Sequence, residues 1–106
     1  EREIGRLLSY SPSGNDGLWP AECVREYLEL YGNETVMEAL KVARYNQRGV
    51  HYATAGVNER ELSRRYERYS LEMEVIYPHT AQMLLDMAKT YDRDSRRESQ
   101  RELIGY

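Results

Sequence analysis

Leu62, Tyr66, Tyr69, Met73 and Ile76 follow one another at steps of 4, 3, 4 and 3. Beyond Tyr77-Pro78 the steps resume as 3, 4, 3 and 4 through Ala81, Leu84, Ala88, Tyr91 and Ser95, with Leu85 alongside. Alternating threes and fours keep side chains on one stripe of an α-helix, the pattern of a coiled-coil seam. Tyr77 precedes a proline, which pushes it out of helical geometry. Two stripes joined by so short a link predict an antiparallel helical hairpin, about 59–76 and 78–98. Counting outward from the break pairs Ile76 with Ala81, Met73 with Leu84, Tyr69 with Ala88 and Tyr66 with Tyr91. Large residues mostly face small ones, as a packed interface requires.

The rest of the chain reads as shorter helices. Ile4, Leu7 and Leu8 mark the apolar side of a first helix, and "SPSGNDG" at 11–17 is a loop by its turn residues. In "LWPAECVREYLELYGN", Pro20 suits a first helical turn. Val24, Tyr27, Leu28 and Tyr31 mark the inner face, and Gly32 is placed to close the helix in a left-handed conformation. Asn33 can cap the next helix, over about 34–48, with Val36, Leu40 and Ala43 inward and Met37 beside them. Gly49 stops it, a short extended piece fits 49–58, and Asn58 is placed to cap the first hairpin helix. The fold class predicted is all-α, a bundle of four to five helices. It forms one domain over 1–106, with a frayed polar tail at 99–106.

Composition narrows the function. No stretch approaches the roughly 18 apolar residues of a membrane span. One cysteine, Cys23, excludes an intramolecular disulfide and points to a reducing compartment, hence the cytoplasm. A net charge of −3 argues against a general nucleic-acid binder. Tyrosine occurs 10 times and phenylalanine not at all, so buried aromatic rings bring hydroxyls that need partners.

Catalytic patterns are missing from the sequence. Cys23 has no CxxC partner, and a Cys–His pair would need it close to His51 or His79. Its expected place is as a small buried residue. Neither histidine has a metal-ligand companion at helical spacing, and His79 is expected on the surface near the hairpin turn. There is no phosphate loop and no nucleophile elbow. Glu22, Glu26 and Glu29 form an acidic helix face, as do Glu72 and Glu74. The expectation is a non-catalytic protein with no cofactor and no metal.

Two groups of residues stand out as contact candidates. One is the polar end of the third helix and the connector after it: Arg44, Tyr45, Asn46, Arg48, His51 and Tyr52, with Trp19 as an exposed aromatic anchor. Arg44–Arg48 equally suit a helix C-terminus, which favours cations. The other group is arginine-rich. Arg60, Arg64, Arg65 and Arg68 begin the first hairpin helix, and Arg93, Arg96, Arg97 and Arg101 end the second. In an antiparallel hairpin these lie side by side, with Arg60, Arg64, Arg68, Arg93 and Arg97 as candidate phosphate contacts. Glu61, Glu67, Asp92, Asp94 and Glu98 are interleaved with them, which favours a solvated, salt-bridged face.

The segments "WPAECVREYLE", "YNQRGV", "ERELSRRYERYS" and "YPHTAQMLLDMAKTYDRDSRRE" span residues 19–98. Together they resemble a helical accessory module at the C-terminal end of larger, poorly characterised bacterial proteins. The approach to the Glu-Arg pair, "TAGVNER", is less glycine-rich than that pattern. The resemblance carries no activity. It implies a recurring accessory domain belonging to a longer chain, which suits a first residue that is not Met. The function expected is protein interaction or oligomerisation within a larger bacterial protein. The alternative is a nucleic-acid-associated domain using the arginine clusters.

Overall fold

The computed structural model describes residues 1–48 and 57–104, with side chains for 1–47 and 59–97. Within them the chain is all-α: α1 (Arg2–Leu8), α2 (Glu22–Tyr31), α3 (Glu34–Arg48), α4 (Val57–Met73) and α5 (Pro78–Ile104). The helices alternate in direction. Glu1 bonds Asn33, Glu29 bonds the first turn of α5, and Tyr45 bonds Asp94. Hence α1, α3 and α5 run away from the α4–α5 turn, and α2 and α4 run towards it. That end is called the closed end below.

The expected hairpin forms, and α4 and α5 make the most extensive helix pair. Tyr66, Tyr69 and Met73 are buried from one side, and Ala81, Leu84, Ala88, Tyr91 and Ser95 from the other. The Tyr66 and Tyr91 rings stack 5.7 Å apart, as the register requires. Two serines outside the apolar pattern tie the pair together. Ser63 Oγ donates to the Ala88 carbonyl at 2.8 Å, and Ser70 Oγ to the Ala81 carbonyl at 2.7 Å. Donors and acceptors are each one heptad apart, so the same close contact repeats along the seam.

Ile76 is a correction. It does not meet Ala81: α4 ends at Met73, and Ile76 is 72% exposed. Packed helix axes lie about 8–10 Å apart, and each residue advances the chain about 3.8 Å. A reversal therefore needs several non-helical residues, and 74–77 supply them, closed by a Tyr77 N–H to Met73 carbonyl bond of 2.7 Å. At the far end, α5 continues through Ile104 where a frayed tail from 99 was expected. The helix of 27 residues also buries a second face, Thr80, Met83 and Met87, which makes it the centre of the bundle.

The first helix is also corrected. Ile4 and Leu7 are exposed, and Gly5 and Ser9 are the buried residues. A Cβ on Gly5 would lie 2.6 Å from the Val36 carbonyl oxygen and 2.7 Å from Ala39 Cβ. The absence of a side chain lets α1 lie directly on α3, and of the three apolar residues expected to face inward, Leu8 packs against the core.

Between the helices, Asn33 caps α3 as expected, its Oδ1 accepting from Val36 N–H at 2.9 Å. Gly32 is extended, with φ −74°, and not left-handed. It is glycine because a Cβ there would sit 2.5 Å from the Leu28 carbonyl oxygen. Pro20 lies outside α2, which begins at Glu22, and the Trp19–Pro20 bond is cis. Tyr31 is exposed. The helix of α4 starts at Val57, so Asn58 lies inside it.

Candidate functional site

At the polar end of α3, Arg44 and Gln47 turn towards the bundle. Trp19, expected to be an exposed anchor, is 3% exposed. Its indole N–H donates to the Ser11 carbonyl at 2.7 Å, and its ring meets Tyr66 edge-on at 6.0 Å. The Arg44 guanidinium lies 4.4 Å from the centre of the Trp19 ring, close enough for a cation–π contact. It also donates to the Tyr66 hydroxyl at 3.3 Å and the Ser9 carbonyl at 3.2 Å. Gln47 Nε2 donates to Ser9 Oγ at 2.6 Å. Tyr45 stacks on Tyr91 at 5.6 Å, and its hydroxyl donates to Asp94. The tyrosine hydroxyls of this cluster thus have the partners that a phenylalanine-free core demands.

Of the predicted contact group, Trp19 and Arg44 therefore fasten separate parts of the bundle together, which makes them interior contacts rather than an open recognition surface. Tyr45 stays 39% exposed while its ring lies against Tyr91. Asn46 is exposed and lines a groove between α1 and α3 with Arg2, Arg6 and Glu34. The Arg48 side chain, His51 and Tyr52 lie outside the described residues, as does the extended piece expected at 49–58 except for Val57 and Asn58, which are helical.

A second polar centre was not anticipated. Arg25 is buried, and its guanidinium forms a two-pronged pair with Asp16, both bonds 2.8 Å. It also donates to the Pro20 carbonyl at 2.7 Å and the Leu18 carbonyl at 2.9 Å, and lies over the Tyr77 ring at 5.6 Å. Asp16 accepts from Leu18 N–H at 3.0 Å, a turn that fixes the carboxylate in place. The Arg25 hydrogen bonds hold the Asp16 carboxyl well below the usual carboxylate range, and the same bonds raise the Arg25 pKa. In sequence, Asp16 looked like one more turn residue of the 11–17 loop. Eight intervening residues hid the pair.

The arginine clusters divide across α5. Arg60 and Arg64 line a groove of about 660 Å³ between α4 and α5, with Lys89, Arg96, Glu67 and Asp92. Arg93 and Arg97 line a different groove of about 370 Å³, between α3 and α5, beside Glu38, Asp86 and Asp94. Arg96 pairs with Asp92 at 3.2 Å, and Arg68 lies over the Tyr69 ring. Each groove mixes cations with carboxylates, and the five candidate phosphate contacts form no single patch.

Cys23 is exposed, a correction to the expected small buried residue: it points away from the α2 face formed by Val24 and Leu28. His79 is exposed at the first turn of α5, as expected. Among the described residues, no group of His, Cys, Asp or Glu is arranged to hold a metal ion.

Exposed large apolar residues are scattered at Leu7, Tyr10 and Val42, and several more lie at the closed end. Val75 is 89% exposed, Ile76 72% and Leu71 61%. The last turn of α2 reaches the same end, because Glu29 accepts bonds from Thr80 N–H at 2.7 Å, Thr80 Oγ1 at 2.9 Å and His79 N–H at 3.2 Å. Glu29 thus caps α5 from another helix, and Leu30 and Tyr31 beside it are exposed. Glu29 read in sequence as part of a solvated acidic face; no local signal shows that it satisfies donors fifty residues away.

No family model, curated protein or solved structure matches this chain. Its fold is shown by its own helices, and no helix among the described residues is long and apolar enough to cross a membrane.

Proposed function

We propose that this chain is a non-catalytic interaction module of a larger bacterial protein, contacting its partner through the closed end. The observation that carries this reading is the exposure of Val75, Ile76, Leu71 and Leu30 at one end of a bundle whose core is otherwise closed. Large apolar side chains gathered at an exposed site mark contact surfaces more often than scattered ones do. Covering one such side chain fully contributes about 1.5–3 kcal/mol. Four of them are comparable with the association cost of about 4–15 kcal/mol. The apolar residues alone therefore support weak binding, suited to a module tethered to its partner or assisted by charge.

The division of the arginines between two grooves, each with carboxylates, favours this reading over the nucleic-acid one. Sedimentation velocity over a range of concentrations, of the chain alone and mixed with the remaining segments of its parent protein, tests the proposal. The expected result is an association that Val75→Ser with Ile76→Ser abolishes while the helical spectrum is unchanged. A strict monomer in both settings, unaltered by these substitutions, overturns it.

A further inference from the structure

The closed end is apolar and its exposed surface is also depleted of lysine and arginine; Arg25, over the Tyr77 ring, is buried and paired with Asp16. No lysine or arginine occurs between Arg25 and Lys41, or between Arg68 and Lys89. Those two stretches supply the end of α2, the start of α3, the end of α4 and the start of α5. In the same stretches stand Glu26, Glu29, Glu34, Glu38, Glu72, Glu74 and Asp86. Glu29 is engaged with the first turn of α5. Glu26, Glu72 and Glu74 are exposed, and none of them pairs with a cation among the described residues. Arg2 enters this end from α1, but it lines the α1–α3 groove beside Glu34 and Glu38. Lys41 is held by Glu38 at 3.0 Å and Asp86 at 3.5 Å. The cations of the hairpin, Arg60 to Arg68 and Lys89 to Arg97, occupy the other half of the molecule.

We infer that the closed end docks a basic, amphipathic segment of a partner protein, its apolar side chains on Val75, Ile76 and Leu71 and its lysines or arginines on Glu72, Glu74 and Glu26. This rests on the interaction reading above and names the chemistry of the partner. A second copy is a poor occupant of the same face. A two-fold contact would bring Glu72 and Glu74 up to their own counterparts, and like charges placed together across an interface oppose association. A basic segment removes that repulsion and adds the attraction that the apolar residues lack by themselves. Charge complementarity of this kind also speeds encounter and makes it salt-sensitive.

The test uses two synthetic helical peptides with the same leucine stripe, one with lysines on its polar face and one with glutamates, titrated by fluorescence anisotropy. The lysine peptide is expected to bind, and its affinity to fall about tenfold between low and physiological salt, as screening of surface charge predicts. Val75→Ser with Ile76→Ser should weaken it by about tenfold or more, the scale of losing two contact side chains. Glu72→Gln with Glu74→Gln should weaken it and flatten the salt dependence. Leu7→Ser, at an exposed apolar site on α1, should change nothing. Equal binding of both peptides, or indifference to the Val75 and Ile76 substitutions, overturns the inference. Self-association lost in the Val75, Ile76 variant, with no lysine-peptide binding, overturns the basic partner but leaves the interaction reading standing. No lysine-peptide binding, together with a strict monomer both alone and mixed with the remaining segments of the parent protein, overturns both.

Discussion

Arg44 and Arg25 are charged and are held by partners inside the bundle; Val75 and Ile76 are apolar and sit outside it. The two regions differ in what surrounds them rather than in what they are made of. Arg44 has an aromatic face, a hydroxyl and a backbone carbonyl within reach, so its guanidinium is held by three partners. Val75 and Ile76 occupy the residues that reverse the chain between two helices, and the core formed by Met73, Leu84 and their neighbours closes without them. Polarity alone would have exchanged their roles.

Substitutions can break or sharpen that contrast. The largest effect is expected at the inner region: Trp19→Ala should cost about 3–5 kcal/mol in chemical denaturation, the range for removing a buried large aromatic. A loss below about 1 kcal/mol would mean that the Trp19–Arg44–Tyr66 cluster is peripheral. Next comes the Asp16–Arg25 pair. Asp16→Asn should cost about 2 kcal/mol at neutral pH, the scale of hydrogen bonds to a charged group. The folded-state pKa of Asp16 is depressed, so its stabilisation is present above the unfolded value of about 3.9 and lost as pH falls through the folded value. The wild type should therefore lose stability over the acid range more steeply than the Asn variant, as thermal melts at a series of pH values would reveal.

A smaller effect is expected for Arg44→Lys, about 1 kcal/mol, because an ammonium keeps the charge but not the planar stack on Trp19. The smallest is at the outer region. Ile76→Ser should alter the denaturation midpoint by no more than about 0.5 kcal/mol, even though an isoleucine is lost. If Ile76→Ser were as costly as a core substitution, the closed end would be part of the core and the proposed contact surface would disappear.

The hairpin was legible in sequence because heptad spacing, a proline break and alternating residue size all described one contact between chain neighbours. Asn33 was legible for the same reason: its bond partner is three residues away. The misreadings share a different physical cause. Gly5, Ser63 and Ser70 control how closely helices approach, and close approach favours residues too small to register in an apolar pattern. Glu29 and Arg25 look like surface charges until the fold brings Thr80 and Asp16 to them. Trp19 looked like an anchor for a partner because its pocket is assembled from Ser11, Arg44 and Tyr66, three separate parts of the chain.

The sequence by itself determined that this protein is all-α, where its longest helices meet and which stripe of each faces the other, since helical periodicity is a local property. Only the tertiary structure decided which polar groups are spent inside and which apolar ones remain outside. That outcome depends on how closely helices distant in sequence can approach, and on whether each buried donor or charge finds its partner there.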